Sequence, residues 1–414
     1  MTTASTSTTT TAWLCVGLLW FVACLNYLDR IVLTTMRSSL VEAIPMTDAQ
    51  FGFLTTIFLW VYGALSPFAG FLADRFSRRA VIVGSLFAWS AVTLLTGHAQ
   101  TFNQLVFARG LMGISEAFYI PAGMALIMDY HRGPTRSLAN GIHVSGVFVG
   151  SGLGGIGGWL AERYNWSFAF YLLGFIGIGY SLLLVFLLRD GPREKAPGAD
   201  SSPDSIKTSF PSALADLFSR SSFIIALLYW GVLGLVGWGI AGWMPTYFKE
   251  QFHLGQASAG FSATGYLQAA ALAGVVLGGA LTDRWSRSSE SRRITITVIG
   301  LCLAAPGILL VANTTLLVTA IGGLMLYGLT RSLADVNMMP ILCLVSDPRY
   351  RATGYGILNM FNCFIGGLTV YAGGRLRDAH IDVSRVFVAC AAGLVMAALL
   401  LFFVRPIKGH NVSS

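Results

Sequence analysis

Six charged side chains lie inside stretches that are otherwise apolar enough to cross a membrane: Asp29, Arg30, Arg109, Glu116, Arg331 and Asp335. A charge near the centre of a bilayer costs at least about 2.5 kcal/mol, so it persists where it is paired or lines a water-filled route. Three of these groups are acids that can carry a proton, and three are guanidinium groups that can hold an anion. These residue types therefore predict a path for a charged solute.

Long apolar segments must position these side chains. The chain has 414 residues, of which 55% are hydrophobic and 11% charged, and its mean hydropathy is +0.67. Soluble domains carry about 25% charged residues, so this composition excludes an ordinary soluble protein. Segments long enough to cross a hydrocarbon core of ~30 Å are expected at 13–36, 51–73, 80–97, 102–128, 139–161, 167–188, 223–248, 259–282, 294–312, 316–344, 354–376 and 386–404.

The predicted fold is an all-α membrane protein with twelve transmembrane helices in two pseudo-symmetric six-helix bundles. The segments GFLADRFSRR at 70–79 and GALTDRWSR at 279–287 match, with Asp74 and Asp283 209 positions apart. Two further echoes, 48–52 with 256–260 and 136–141 with 351–356, keep nearly the same offset and indicate a duplicated unit. We expect a disordered tail at 1–12, an N-terminal bundle at 13–188, a cytoplasmic linker at 189–221 with a short surface helix near 211–218, a C-terminal bundle at 222–404 and a cytoplasmic tail at 405–414.

The distribution of Lys and Arg predicts the orientation. With the N-terminus inside, the cytoplasmic segments carry 18 basic residues and the outer segments carry six. Both termini are therefore expected in the cytoplasm of a cell whose inner, or plasma, membrane holds the chain. This bias accounts for the net charge of +8 without a nucleic-acid partner.

No sequence pattern indicates an enzyme, a cofactor or a metal site. The six cysteines fall in predicted spans without a CxxC pair, and neither a Walker loop nor a nucleophile triad is present. The glycine run at 150–155 follows no strand, and Gly146 and Gly150 are spaced for close helix packing. We expect a monomer in the lipid bilayer that does not use ATP.

Two motifs carry a resemblance to a known family. The loop at 70–79 and its second copy resemble the signature of the major facilitator superfamily of transporters. The segment NYLDR at 26–30, with Arg109 and Glu116 seven residues apart, resembles the anion:cation symporter family within it. That resemblance implies transport of organic acids such as sugar acids, hexuronates and sialic acid. Spinster-type exporters of lysolipids share parts of the pattern.

The buried charges are predicted to have two roles, substrate binding and proton transfer. Arg30 and Arg109 are predicted to bind a substrate carboxylate, because a guanidinium group can donate two parallel hydrogen bonds to it. Asp29 and Glu116 are the predicted proton carriers, since protonating one of them balances the charge of an incoming anion. The alternative is that these charges only join helix to helix. Further substrate-binding candidates are Tyr27, Tyr62, His143, Asn359 and Asn362, although His143 could be a packing residue and the asparagines could bridge helices.

A second group of residues is predicted to act in gating. The loop charges Asp74, Arg75, Arg78 and Arg79, with Asp283 and Arg284, would change partners as the bundles rock. Arg331 and Asp335 are four residues apart and can pair, which suits either a gate support or direct substrate contact.

The sequence therefore predicts a proton-coupled symporter of a small organic anion that works by alternating access. Two alternatives remain open at this point. One is an exporter of amphiphilic or lysolipid-like solutes, which would need a mainly apolar cavity. The other is a membrane sensor that binds an organic anion without transporting it, although a sensor has no need of two gating loops.

Overall fold

The computed structural model describes residues 3–131, 135–191, 210–286, 292–347 and 350–404, with side chains described from Thr10 onward except at 70–75 and 352. Within these ranges the regular structure consists of helices: α1 (Thr3–Thr35), α2 (Arg37–Ala43), α3 (Asp48–Arg75), α4 (Arg78–Thr96), α5 (Phe102–Glu116), α6 (Tyr119–Tyr130), α7 (Arg136–Gly152), α8 (Gly155–Arg163), α9 (Trp166–Leu187), α10 (Phe210–Ser219), α11 (Ser221–Gln251), α12 (Gln256–Ser286), α13 (Arg292–Asn313), α14 (Leu317–Val345), α15 (Arg351–Asp378) and α16 (Ser384–Phe402).

Twelve stretches of helix in the described ranges are long and apolar enough to cross a membrane, which confirms the predicted architecture. Two of these spans consist of two helices each, α5 with α6 and α7 with α8. The short helices α2 and α10 lie outside the spans, and α10 confirms the helix expected near 211–218.

Helix α1 begins earlier than the sequence suggests. It starts at Thr3, within the segment 1–12 that the Thr/Ser-rich composition predicts to be a disordered tail. Adding residues to an existing helix costs far less than nucleating one, so the buried part of α1 supports the polar turns before it. The expected linker at 189–221 falls largely outside the described residues, as does the C-terminal tail from 405.

Close helix packing depends on glycine where backbones approach each other. Helix α7 packs against α1 within the N-terminal bundle. A Cβ atom on Gly146 would overlap the carbonyl oxygen of Trp20, and one on Gly150 would overlap that of Cys24. The glycine run therefore packs helices, as the sequence predicts.

The two bundles contact each other along two seams. Helix α3 packs against α15 on one side, and α7 and α8 pack against α12 on the other. We call the end that carries α2, the start of α3 and the α11–α12 connection the outer end, because the Lys/Arg distribution predicts it to face outside. At this end Lys249 donates a hydrogen bond to Ser38 at 2.5 Å, and Gln256 donates one to Ser39 at 2.9 Å. The outer ends of the bundles are thus joined.

Candidate functional site

The centre of the N-terminal bundle holds a buried ion pair between α1 and α5. Arg30 Nε donates to Glu116 Oε2 at 2.7 Å. Arg30 is 3% exposed and Glu116 is fully buried. Removing one partner of such a pair leaves an uncompensated charge and costs about 3–5 kcal/mol. Arg30 Nη2 and Glu116 Oε1 have no hydrogen-bond partner among the described residues, so the pair keeps unused donor and acceptor capacity.

Local sequence sets the position of Glu116. Helix α5 starts at a capping box in which the Thr101 and Gln104 side chains bond each other's backbone. It ends at Glu116 because Pro121 has no N–H group to bond the carbonyl of Ala117, so the span breaks there and continues as α6. The carboxyl group therefore lies at a helix break in the middle of a span.

Aromatic rings surround the Arg30 guanidinium group. Its Cζ atom lies 4.4 Å from the Tyr62 ring centroid, 4.7 Å from that of Tyr27 and 5.2 Å from that of Phe58. The ring of Phe58 also lies 4.8 Å from Cζ of Arg109, so one ring contacts both cations. Each cation–π contact contributes about 0.5–2 kcal/mol, the larger values applying to dry sites. Phe58 is a site residue that the sequence analysis missed, because an apolar residue in an apolar helix carries no signal.

Arg109 and Asp29 are also buried inside the N-terminal bundle. Arg109 is 1% exposed, its Nε donates to the Leu54 carbonyl at 3.4 Å, and its Nη1 lies 2.9 Å from Met112 Sδ. Asp29 is 3% exposed, and its Oδ2 accepts from Thr93 on α4 at 3.4 Å. The structure brings all four charges of the N-terminal bundle together and seals them from water in this state, where the sequence alone suggested a shared aqueous chamber.

The C-terminal bundle has its own pair on α14. Arg331 Nη1 donates to Asp335 Oδ2 at 3.1 Å, and these side chains are 23% and 26% exposed. They are more exposed than the four charges of the N-terminal bundle, although they lie in the middle of a span. The predicted i,i+4 pairing is therefore confirmed, and the pair lies in a more open environment.

Three of the substrate-binding candidates, His143, Asn359 and Asn362, bridge helices in this state. His143 is buried, with Nε2 2.9 Å from the Tyr119 hydroxyl, which also donates to the Leu19 carbonyl at 2.8 Å. Asn359 Nδ2 donates to Ser66 across the α3–α15 seam at 2.8 Å, and Asn362 Nδ2 donates to a carbonyl on α11 at 2.9 Å. Only the Asn359 contact joins the two bundles, so it alone would change when they separate.

The gating candidates at the inner end lie in two groups. The side chains of Asp74 and Arg75 lie outside the described residues. Arg78 forms an ion pair with Asp129 at the end of α6, and the Arg79 backbone donates to Asp190 at 2.9 Å.

The second copy of the loop differs in its contacts. Asp283 is exposed and accepts from Arg293 at 3.0 Å, which joins α12 to α13. Arg284 is exposed. Each of these contacts remains inside one bundle.

A charge network that the sequence analysis missed closes the outer end. Arg377 Nε donates to Asp48 at 3.1 Å, and its Nη1 donates to Glu250 at 2.7 Å. Arg37 also forms an ion pair with Asp48, and Asp378 accepts from the Asp48 backbone at 2.8 Å. The sequence does place these charged residues in predicted outer segments. It does not show which of them pair, because the pairing depends on how the two bundles pack against each other.

Comparison with known proteins identifies the family. The family model of the Major Facilitator Superfamily matches residues 19–370. The probable galactarate/D-glucarate transporter GarP of Escherichia coli is 25% identical over 96% of this chain and 96% of its own. The probable sulfoacetate transporter SauU of Cupriavidus necator is 24% identical over 94% of this chain and 92% of its own.

Spinster proteins are a second group of relatives. Human protein spinster homolog 1 is 29% identical over 56% of this chain, and the match spans 45% of that relative's length. The crystal structure of a bacterial homolog to the human lysosomal transporter spinster, inward-facing and unoccupied, superposes with a TM-score of 0.80 at 22% identity, over 95% of this chain and 97% of that one. The architecture and the family model agree: the chain belongs to the Major Facilitator Superfamily and is a multi-pass membrane protein.

Proposed function

We propose that the protein is a proton-coupled symporter that carries a small organic anion, of the sugar acid, uronate or sialic acid class, by alternating access. The observation that carries the proposal is the buried pair of Arg30 and Glu116, which retains an unused guanidinium donor and an unused carboxylate oxygen. A carboxylate on a substrate has the same charge and shape as the Glu116 side chain. It therefore competes with Glu116 for Arg30.

Protonation of Glu116 links the proton to the anion. A neutral carboxylic acid binds a guanidinium group more weakly than a carboxylate does, because charge-assisted hydrogen bonds are about twice as strong as neutral ones. Adding a proton to Glu116 thus frees Arg30 for the substrate, and binding the substrate favours the protonated acid in the same measure. Without the proton, an anion would bring an unbalanced negative charge into the bundle.

The remaining charges and polar groups support this exchange. In the proposal the charge of Arg109, which contacts the same Phe58 ring as Arg30, keeps the electrostatic potential at the site positive. Asp29 is the second proton carrier. Tyr27 and Tyr62, whose rings flank Arg30, orient the substrate. Asn359 binds its hydroxyl groups once rocking breaks the present contact with Ser66, and Asn362 and His143 are further hydroxyl-binding groups.

Gating follows from which end is joined. The outer network around Arg377 holds the bundles together at the outer end, which fits the inward-facing half of a transport cycle. In the other half, the inner loops with Asp74, Arg75, Asp283 and Arg284 would take over. Two bacterial relatives, the probable sulfoacetate transporter SauU and the probable galactarate/D-glucarate transporter GarP, support an organic anion as substrate. We place the protein as a monomer in the inner (plasma) membrane with both termini in the cytoplasm.

Uptake into proteoliposomes tests the proposal. Purified protein is reconstituted, a pH gradient is imposed, and the uptake of radiolabelled galactonate, glucuronate, galactarate and sialic acid is followed. We expect accumulation of at least one acid above its outside concentration, which collapses when a protonophore dissipates the gradient. Transport of a lysolipid with no uptake of any acid would support the exporter, and binding without uptake would support the sensor.

A further inference from the structure

The two bundles contain matching charge pairs. The pair in the N-terminal bundle is Arg30 with Glu116, and the pair in the C-terminal bundle is Arg331 with Asp335. The first is flanked by Tyr27 and Tyr62, and the second lies on α14, which contacts α11, the helix that carries Tyr229. The proposed function uses only the first pair, so the second has no assigned ligand.

One edge of the Arg331 guanidinium group is unused. Its hydrogen bond among the described residues comes from Nη1, which points to Asp335, whereas Nε is buried without a partner. Nη2 faces Gly237 on α11, where a Cβ atom would lie 3.4 Å from it. The absence of a side chain at that position leaves space beside Nη2. The Nε and Nη2 donors form the fork that fits a carboxylate with two parallel hydrogen bonds.

A buried hydroxyl group nearby also lacks a partner. Tyr229 is 0% exposed, and its hydroxyl makes no hydrogen bond to the described residues. Both Arg331 and Asp335 act electrostatically on it. Leaving a buried polar group unsatisfied costs about 1–3 kcal/mol. A pair that served only to support a gate would not require this arrangement, whereas a ligand that accepts from Tyr229 and from the free fork of Arg331 accounts for it.

The two pairs lie on helices that meet where the bundles contact each other. Tyr27 on α1 contacts Arg30, and α1 packs against α11 of the other bundle. Arg331 Nη2 faces Gly237 on the same α11. A molecule bound to Arg30 beside the Tyr27 ring would reach Arg331 across the contact of α1 with α11.

We propose that Arg331 and Tyr229 form a second anion subsite, and that the preferred substrates are dianions with an acid group at each end. This inference rests on the proposed function, because the first acid group binds Arg30. The second acid group, a carboxylate or a sulfonate, binds the Nε–Nη2 edge of Arg331 and accepts from the Tyr229 hydroxyl. A substrate that bridges the bundles in this way also favours their closure around it.

Matched ligand pairs test the subsite. Galactarate and galactonate share a carbon skeleton, and glucarate and gluconate do likewise, but only the first member of each pair has acid groups at both ends. Affinities are measured by calorimetry on the purified full-length protein. We expect at least one dianion to bind at least tenfold more tightly than its monoanion, a difference of about 1.4 kcal/mol.

Variants then show which residues cause the preference for the dianion over the monoanion. Arg331→Gln is expected to reduce the preference to within twofold while the monoanion keeps its affinity, and Tyr229→Phe is expected to reduce it three- to tenfold. Arg331→Lys keeps the charge but loses the fork, so it should recover only part of the preference. Arg375→Gln, at an exposed arginine near the outer end, is the control that should change neither affinity.

The possible failures are distinguishable. Equal binding of monoanion and dianion in both pairs overturns the second subsite and leaves the proposed function intact. A dianion preference that survives Arg331→Gln and Tyr229→Phe also overturns it. Failure of every acid to bind, with the protein folded by thermal unfolding, contradicts the proposed function itself.

Discussion

At the scale of residues, buried charge governs this protein. Arg30 and Glu116 neutralise each other inside apolar helices, and neither can be removed alone without leaving a charge where water does not reach. The pair is therefore costly to break by mutation, but a ligand of the same charge can replace one partner. This combination suits a site that must bind and release.

A double-mutant cycle measures how strongly the stabilising effects of Arg30 and Glu116 depend on each other. Arg30→Gln and Glu116→Gln each leave one buried charge unpaired, and we expect each to lower the free energy of unfolding by up to about 3–5 kcal/mol. The double variant should lose clearly less than the sum of the two, because it buries no unpaired charge. Thermal unfolding in detergent provides the measurement, with Arg163→Gln at an exposed site as the control. Additive effects would contradict the pairing.

At the scale of elements, breaks and close approaches position the site. Pro121 ends α5 at Glu116, and small residues bring α7 against α1, the helix that carries Arg30. The position of the pair is thus set by backbone features outside it.

Two glycines of α7 provide a matched test of this packing. A Cβ atom on Gly150 would overlap the Cys24 carbonyl, whereas one on Gly141 meets nothing within 4 Å. Gly150→Ala should therefore lower stability by about 1–3 kcal/mol through overpacking. Gly141→Ala should be neutral or stabilising by up to about 1 kcal/mol, since alanine favours helix more than glycine does. The thermal unfolding midpoints of the two variants test this difference. Equal effects would contradict the close approach of Gly150 to the Cys24 carbonyl.

The sequence predicts the fold better than it predicts the site. Segment length and hydropathy are local properties, so the twelve spans and the i,i+4 pair on α14 follow from the chain itself. The bond between Arg30 and Glu116 depends on how α1 and α5 rotate against each other, and the role of Phe58 depends on the same rotation. The outer network joins residues 329 positions apart, Asp48 and Arg377, which hydropathy cannot pair.

At the scale of the whole molecule, the described state is joined at its outer end. Arg377 bonds Asp48 of the N-terminal bundle and Glu250 of its own, so one guanidinium group links the bundles. Helices α3 and α15 remain packed along their seam beneath it. Alternating access requires that these contacts break.

Removing that link should shift the population toward an open outer end. We expect Arg377→Gln to increase the long-distance fraction between spin labels at Glu42 and His380, two exposed outer positions in opposite bundles, in double electron–electron resonance. Arg375→Gln is the matched control, because Arg375 is exposed and makes no ion pair among the described residues. An unchanged distance distribution in Arg377→Gln would show that the network does not hold the outer end closed.

The central claim is that a proton binds Glu116 while the substrate anion takes the place of Glu116 on Arg30, so that both are carried together. The most direct measurement is the change in internal pH of proteoliposomes that contain a pH-sensitive dye, recorded when a transported acid is added without an imposed gradient. We predict substrate-dependent acidification for the wild type and for the control Glu42→Gln, at an exposed outer position. We predict much slower acidification for Glu116→Gln, in which only Asp29 can still carry the proton, although that variant still exchanges labelled for unlabelled substrate. Acidification by Glu116→Gln at the rate of the control would contradict the account.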